Sequence, residues 1–467
     1  MSPLLILLIG IAVVLLMILV LRTNAFLALI AAALAVSLMN DSIPYAEKGK
    51  QVAAALGATV GDIGIVIAMA AIIGVCMMKS GAAEKIVLVL CRVLGEKRFP
   101  AALCGSGFVL SIPVFYDTVF YLLVPLARSF YLRVRKNYIL CLMAICAGAM
   151  ITHALVPPTP GPLLVASSLQ ANLGHMMMIS LLVGVILFPV GITAAYFIDW
   201  YMPSPEIHLP QEELPQQNAN SAERKNSLPP FGFAILPVLL PVVLIALHSF
   251  FVLALNNTVP ANASGVFRWF VNILHVVGSK EIAMILAAML AICVYYRQKT
   301  ATLDEIRKDI DAALLDGGLI ILITAAGGAF GKMLQAAGIG KVVENFFQHE
   351  AGVSGIGILT AAFCVASILK LSLGSSTTAM MVAAAIIGSM KLTTETLGFN
   401  LAYLCLSICC GALVTSWMND SGFWITSRMA GISETDTLKS VSVLHIIVGC
   451  SGFVIILILS QVLPLAI

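Results

Sequence analysis

The sequence predicts an all-α polytopic membrane protein with two inverted repeats and broken transmembrane helices. Its 467 residues are 60% hydrophobic and only 10% charged, whereas soluble domains average about 25% charged residues. Apolar blocks recur along the chain, several of them reaching the roughly 20 residues that a bilayer-spanning helix needs. Proline, glycine and polar residues interrupt four of these blocks, at matching positions in the two halves.

In the first half, the predicted spans follow the apolar blocks in order. Ser80–Arg98 is amphipathic and predicts a helix lying at the membrane interface. Pro100–Tyr131 predicts two half-length helices separated by Pro113–Asp117, because proline interrupts a helix. The remaining blocks predict spans near Leu4–Leu21, Ala25–Met39, Asp62–Met78, Asn137–Leu155 and Met176–Trp200.

A polar segment at residues 203–230 divides the chain. It predicts a linker between an N-terminal membrane half at 1–202 and a C-terminal membrane half at 231–467. Thr302–Leu315 predicts a second interfacial helix, separate from the block that follows it. The apolar blocks of the second half are Phe231–Leu255, Ile282–Tyr296, Gly317–Gln335, Gly355–Met390, Asn400–Trp417 and Val441–Leu463.

The second half repeats the first. Cys146–Thr152 aligns without gaps on Cys409–Thr415, and a helix-breaking segment follows each run. One first-half loop contains Arg128, Arg133, Arg135 and Lys136, whereas its counterpart at Lys391–Phe399 contains only Lys391 and Glu395. The positive-inside rule places the first loop in the cytoplasm and the second outside, so the repeats are inverted. This orientation puts both termini outside and the linker inside.

The four breaks predict one binding site. Unwound backbone at membrane depth is tolerated only where protein or a wet cavity satisfies it, and helix N-termini attract anions. The polar groups suit a hydroxylated carboxylate, although serine and threonine at such positions can also simply cap helices. The candidate substrate-binding residues are Tyr116, Asp117, Thr118, Thr159, Gly161, Gly374, Ser375, Ser376, Thr377, Asn419, Asp420 and Ser421.

Three titratable residues are candidates for proton coupling. Asp117 interrupts an apolar run, where an ionisable group costs roughly 2.5–3.5 kcal/mol, so it predicts a functional site or else a helix cap. Asp420 presents the same alternatives. His153 lies one turn before a proline run and is either a proton-coupling group or a packing residue. The breaks contain no cation, so amides and helix dipoles, or an Arg or Lys not evident from sequence, would hold an anion.

At these breaks the chain resembles the gluconate permease family of bacterial proton symporters. The resemblance rests on Phe115–Asp117, His153–Pro162, Gly327–Phe330, Leu373–Thr377 and Asn419–Trp424. It implies proton-coupled uptake of gluconate or a related sugar acid across the inner membrane by alternating access. In that membrane, the termini that the positive-inside rule places outside are periplasmic. It also implies a re-entrant hairpin in each repeat, an elevator-type transport domain and a homodimeric scaffold. The family usually has Glu at the position of Asp117, and often His at that of Thr159.

Several alternatives stay open. A sodium-coupled carboxylate transporter would also use serine, threonine and carbonyl groups, and the family includes a permease for the small amino acid D-serine. A membrane enzyme or a channel is a different class, but the sequence contains no H-E-x-x-H or G-x-S-x-G motif. We therefore expect no enzymatic activity, cofactor or metal. The net charge of +3 does not suggest nucleic acid, and the expected surroundings are the lipid bilayer.

Overall fold

The computed structural model describes residues 2–95, 98–134, 136–202, 228–254, 265–298, 302–338, 355–418 and 420–465. Within these ranges the chain forms helices and turns and contains no strand. Seven of the described helices are long and apolar enough to cross a membrane, or eight if a bent pair counts as one span. The predicted class of an all-α polytopic membrane protein is therefore confirmed. Of the linker, 203–227 lies outside the described residues.

The first half forms nine helices within the described ranges. Asparagine side chains cap two of them, because Asn24 accepts a hydrogen bond from the Phe26 amide and Asn172 from the His175 amide. The helices are α1 (Pro3–Leu15), α2 (Ala25–Met39), α3 (Lys48–Lys79), α4 (Ala82–Leu94), α5 (Phe99–Leu110), α6 (Tyr116–Val134), α7 (Tyr138–Leu155), α8 (Pro160–Ser168) and α9 (Leu173–Tyr201).

The described part of the second half repeats this order of elements. Helix α13 corresponds to α3, the α14–α15 pair to α5–α6, and α17, α18 and α20 to α7, α8 and α9. The helices are α10 (Phe231–Ala254), α11 (Gly265–Val277), α12 (Lys280–Arg297), α13 (Leu303–Ala336), α14 (Gly355–Leu373), α15 (Ser376–Gly388), α16 (Thr394–Leu397), α17 (Leu401–Gly411), α18 (Ser421–Ala430), α19 (Glu434–Thr437) and α20 (Val443–Val462).

Three sequence-based boundaries are wrong. The span predicted near Asp62–Met78 begins earlier, because α3 starts at Lys48. Thr302–Leu315 is not a separate interfacial helix, since α13 continues through Gly317 to Ala336. Gly317 does not end the helix because it packs against α3, where a Cβ atom at this position would lie 3.2 Å from the Ala71 Cβ. The span predicted to reach Trp417 ends at Gly411, so the fourth break is longer than the sequence predicts.

Two aligned glycines make equivalent contacts in the two repeats. A Cβ atom on Gly148 of α7 would lie 1.9 Å from the Cys104 carbonyl oxygen of α5. A Cβ atom on Gly411 of α17 would lie 2.3 Å from the Phe363 carbonyl oxygen of α14. Each repeat contains a helical hairpin, α5–α6 in the first and α14–α15 in the second. In each repeat a glycine, on α7 or α17, allows close contact with the first helix of the hairpin.

The two halves also interlock. Helix α3 packs against α13 and α9 against α20, so each contact joins equivalent helices of the two repeats. In addition, α6 packs against α18 and α15 against α8. The second helix of each hairpin thus contacts the helix that follows the break in the other half. This exchange brings the four breaks close to one another. The division into halves at 1–202 and 231–467 stays a prediction.

The contact at Gly148 predicts that Gly148→Ala destabilises the protein. The added methyl group would force apart two helix backbones, and overpacking of this kind costs typically about 1–3 kcal/mol. Gly105→Ala on α5 is the matched control, because a Cβ atom there meets nothing within 4 Å. Alanine favours a helix by up to about 1 kcal/mol over glycine, so the control should keep or raise the thermal unfolding midpoint in detergent. Equal midpoints for the two variants would contradict this account.

Candidate functional site

The four breaks meet at one cavity of about 440 Å³. Each break contributes the first residues of the helix that follows it, and α7, α13 and α20 supply most of the remaining wall. The residues that line the cavity at the breaks are Phe115, Tyr116, Asp117, Thr118, Pro160, Gly161, Pro162, Ser375, Ser376, Thr377, Thr378, Leu413, Ser416, Asp420 and Gly422. The structure therefore brings together most of the candidate residues, from both halves of the chain.

The N-termini of α6, α8, α15 and α18 all border this cavity. A helix N-terminus carries about half a positive charge and leaves its first amides without intrahelical partners. At α15, Ser375 caps the helix by accepting hydrogen bonds from the Thr378 amide at 3.3 Å and the Thr378 hydroxyl at 3.1 Å. The amides of Ser376 and Thr377 donate to no backbone or side-chain acceptor in the described part of the chain. The arrangement suits an anion.

Hydroxyl groups at the cavity differ in their availability. Within the described residues, those of Thr118, Ser376 and Thr377 make no hydrogen bond and are free to bind a ligand. The Tyr116 hydroxyl is already used, because it lies 3.2 Å from both the Cys146 Sγ and the Thr426 Oγ1. Its ring still lines the cavity.

Two of the glycine and threonine candidates do not line the cavity. The Thr159 hydroxyl donates to the Val156 carbonyl at 2.7 Å, which makes it part of the turn between α7 and α8. Gly374 has φ +77° and turns the chain between α14 and α15. Gly161 does line it, and a Cβ atom there would lie 2.5 Å from the Met380 Sδ, so α8 and α15 are close.

Asp117 is the second residue of α6 and lines the cavity, half-buried. In the ranges that the structure describes, its carboxyl group makes no hydrogen bond and no ion pair, so it does not cap a helix. His153 also lines the cavity, and its buried Nδ1 atom has no hydrogen-bond partner among the described residues. The His153 ring contacts that of Phe115 edge-on, with the ring centroids 6.2 Å apart.

Asp420, by contrast, is fully engaged. Its Oδ1 accepts from the Gly422 amide at 3.1 Å and thereby caps α18. Its Oδ2 lies 2.5 Å from the Lys370 Nζ and 2.7 Å from the Ser416 Oγ. Lys370 also donates to the Gly374 carbonyl at 2.5 Å, and its side chain is 0% exposed. The ion pair therefore joins the α14–α15 turn to the α17–α18 break.

Lys370 is a cation that contacts the breaks although it lies outside them. It lies on α14, one helical turn before the α14–α15 break, and its side chain reaches from there to Gly374. Sequence reasoning also missed five polar residues that line the cavity: His445 on α20, Asp316 and Thr324 on α13, Thr378 on α15, and Ser416 in the α17–α18 break. His445 Nδ1 lies 3.0 Å from the Leu413 carbonyl oxygen. Lys370 and His445 each stand inside an apolar block, and that signal could have identified them.

Two candidates fall at the limits of what the structure describes. Asn419 lies outside the described residues. Ser421 begins α18, but its side chain is not among those described.

Comparisons with known proteins agree over nearly the whole chain. The model of the GntP family permeases matches residues 2–462. The chain is 32% identical over 454 residues to the inner membrane permease YgbN of Escherichia coli strain K12, covering 96% of each protein. It is 29% identical over 443 residues to a gluconate permease of Pseudomonas aeruginosa, covering 95% of this chain and 94% of that protein.

The fold is similar to that of a solved transporter. The crystal structure of the Alcanivorax borkumensis YdaH transporter, which has an unusual topology, matches with a TM-score of 0.63. The match covers 94% of this chain and 98% of that one at 12% sequence identity. At that identity the likeness extends to the fold alone.

Proposed function

The chain belongs to the GntP family of permeases, and we propose that it is a symporter coupling protons to the uptake of gluconate or a related sugar acid. Family membership and the apolar helices make it a multi-pass inner-membrane transporter and not an enzyme. The observation that carries the proposal is the convergence of four helix N-termini and the half-buried, unpaired carboxyl group of Asp117 on a single cavity. This combination suits an anion that binds together with a proton.

The substrate class follows from the polar groups of the cavity. A sugar acid has one carboxylate and a chain of hydroxyl groups. The free amides at the start of α15 would bind the carboxylate, because helix N-termini stabilise anions. The hydroxyls of Thr118, Ser376 and Thr377, and the unpartnered Nδ1 of His153, would bind the substrate hydroxyls. The relative from Pseudomonas aeruginosa is a gluconate permease, which points to the same class.

Proton coupling follows from Asp117. An ionised Asp117 would repel a substrate carboxylate in the same cavity, by about 4 kcal/mol at 4 Å with an effective dielectric constant of about 20. Protonation of Asp117 removes this repulsion, so the proton and the anion bind more favourably together than either does alone. Asp420 is less suited to this role, since Lys370 already neutralises it. We assign His153, whose Nδ1 atom has no partner among the described residues, to hydrogen bonding with the substrate.

We extend the proposal to orientation and assembly. The distribution of basic residues supports periplasmic termini and a cytoplasmic linker at 203–230. The resemblance to the family supports a homodimer with elevator-type motion. Labelling of single cysteines, placed at Lys391 and at Lys136, with an impermeant thiol reagent tests the orientation. We expect Lys391→Cys to react from the periplasm and Lys136→Cys to react only after the membrane is opened.

Transport driven by separate gradients tests the function. In proteoliposomes, an inward proton gradient should drive accumulation of labelled gluconate, and a protonophore should abolish it. A sodium gradient alone should have no effect. Accumulation that survives the protonophore and follows sodium would instead establish a sodium-coupled carboxylate transporter. Competition by D-serine, without competition by sugar acids, would establish a small amino acid permease.

A further inference from the structure

A second, smaller cavity of about 160 Å³ lies between α3, α8, α13 and α15. Its lining is mostly polar, whereas a packing defect in the core would be lined by apolar side chains. The proposed substrate site does not include it. Its polar lining includes Thr59, Asp62, Ser167, Gln170, Lys332 and Gln335.

The two cavities lie one after the other along the same three helices. On α15, Met381 is the last residue to line the first cavity and Ala384 is the first to line the second. At 1.5 Å per residue these positions are only about 5 Å apart along the helix. On α13, residues up to Thr324 line the first cavity and residues from Gly328 line the second. Helix α8 likewise contributes to both.

A close helix contact separates the cavities. A Cβ atom on Gly327 of α13 would lie 2.8 Å from the Met381 Cβ, and one on Gly331 would lie 3.0 Å from the Ala385 Cβ. At this level α13 and α15 therefore touch nearly backbone to backbone. The second cavity is consequently a separate compartment next to the substrate site.

The charges of the two cavities differ. Among the described residues that line either one, Lys332 is the sole lysine or arginine. It is exposed and makes no ion pair with another described residue. Asp62 also lines the second cavity, and Lys280, whose Nζ donates to the Asp62 carbonyl at 2.7 Å, lies 3.7 Å from the Glu281 carboxylate. The described lining of the first cavity contains aspartates and no lysine or arginine. Lys332 therefore gives the second cavity a cationic side chain for an anion, which the lining of the first cavity lacks.

We infer that the second cavity is an access site, where Lys332 binds the carboxylate of a sugar acid before the acid reaches the first cavity. The amides of Gln170 and Gln335 and the hydroxyl of Ser167 supply partners for the sugar hydroxyls. This inference rests on the proposed function. The predicted orientation places the C-terminal end of α15 on the outside, which makes the cavity the point of entry during uptake.

Initial rates of gluconate uptake test the access site. Lys332→Gln should lower the uptake rate at limiting gluconate about tenfold and should reduce its dependence on ionic strength, because a cation that guides an anion acts mainly on the association rate. Lys332→Arg should restore both properties. Lys391→Gln is the matched control, since Lys391 is exposed just beyond α15 and is not part of the lining. It should behave as the parent protein does.

The possible outcomes separate this inference from the proposed function. If the parent protein takes up gluconate and Lys332→Gln matches Lys391→Gln in rate and salt dependence, the access site is refuted and the function stands. If the parent protein shows no uptake of any sugar acid, the proposed function fails first and the access site with it. If Lys332→Gln lowers the uptake rate and Lys332→Arg does not restore it, a role for the positive charge is also refuted.

Discussion

Asp117→Asn is expected to abolish proton-driven accumulation of substrate while leaving exchange of substrate across the membrane. For symport of one proton, a gradient of one pH unit supports about tenfold accumulation, which corresponds to about 1.4 kcal/mol. Asparagine has nearly the shape of a protonated aspartic acid but cannot release a proton. The variant should bind the anion without a proton and should therefore equilibrate it, with an accumulation ratio of about one.

Two further variants make this prediction specific. Asp316→Asn removes the other acid at the cavity without an ion pair to a described residue, and it should keep proton-driven accumulation. Asp117→Glu retains a carboxyl group and should keep coupling as well. Accumulation and counterflow exchange are measured in the same proteoliposomes. If Asp117→Asn concentrates gluconate as the parent does, Asp117 is not the coupling residue.

The breaks could be predicted from sequence because helix interruption is local chemistry. Proline removes a hydrogen bond and glycine permits φ > 0, so Pro113 and Gly374 identify two helix ends without any knowledge of the fold. The resulting helices end at Leu110 and Leu373 and resume at Tyr116 and Ser376. The repeat then indicated that the breaks belong together, and the structure places them around one cavity.

The partners of the breaks could not be predicted in the same way, because they depend on how the helices pack. Nothing local assigns Lys370 of α14 to Asp420, fifty positions later, although each is conspicuous as an ionisable residue in an apolar region. The same limit explains the wrong boundary in α13. Gly317 resembles a helix end by composition, whereas its contact with α3 keeps the helix continuous. Local sequence therefore predicts the breaks, and tertiary packing decides which of their side chains are free.

Lys370→Met and Asp420→Asn are each expected to destabilise the protein severely, while the double variant should be much more stable than either. Removing one partner of a buried ion pair leaves an uncompensated charge and costs about 3–5 kcal/mol, whereas neutralising both is often close to neutral. Asparagine can still cap α18 by accepting from the Gly422 amide, so the double variant keeps that part of the site. The stability of the four proteins forms a double-mutant cycle, measured by thermal unfolding in detergent.

Lys48→Met tests whether the loss of stability comes from the broken ion pair or from the removal of any buried lysine. Lys48 is 3% exposed, and its Nζ donates to the Leu38 carbonyl at 2.6 Å and the Asn40 carbonyl at 3.1 Å, with no carboxylate partner in the described part of the chain. Removal of Lys48 leaves no buried carboxylate without its partner, so Lys48→Met should lower the stability less than Lys370→Met does. A cycle with no coupling energy would mean that the pair does not join the α14–α15 turn to the α17–α18 break. A strong coupling together with weaker gluconate binding in the stable double variant would mean that the pair holds the N-termini of α15 and α18 in position for the anion.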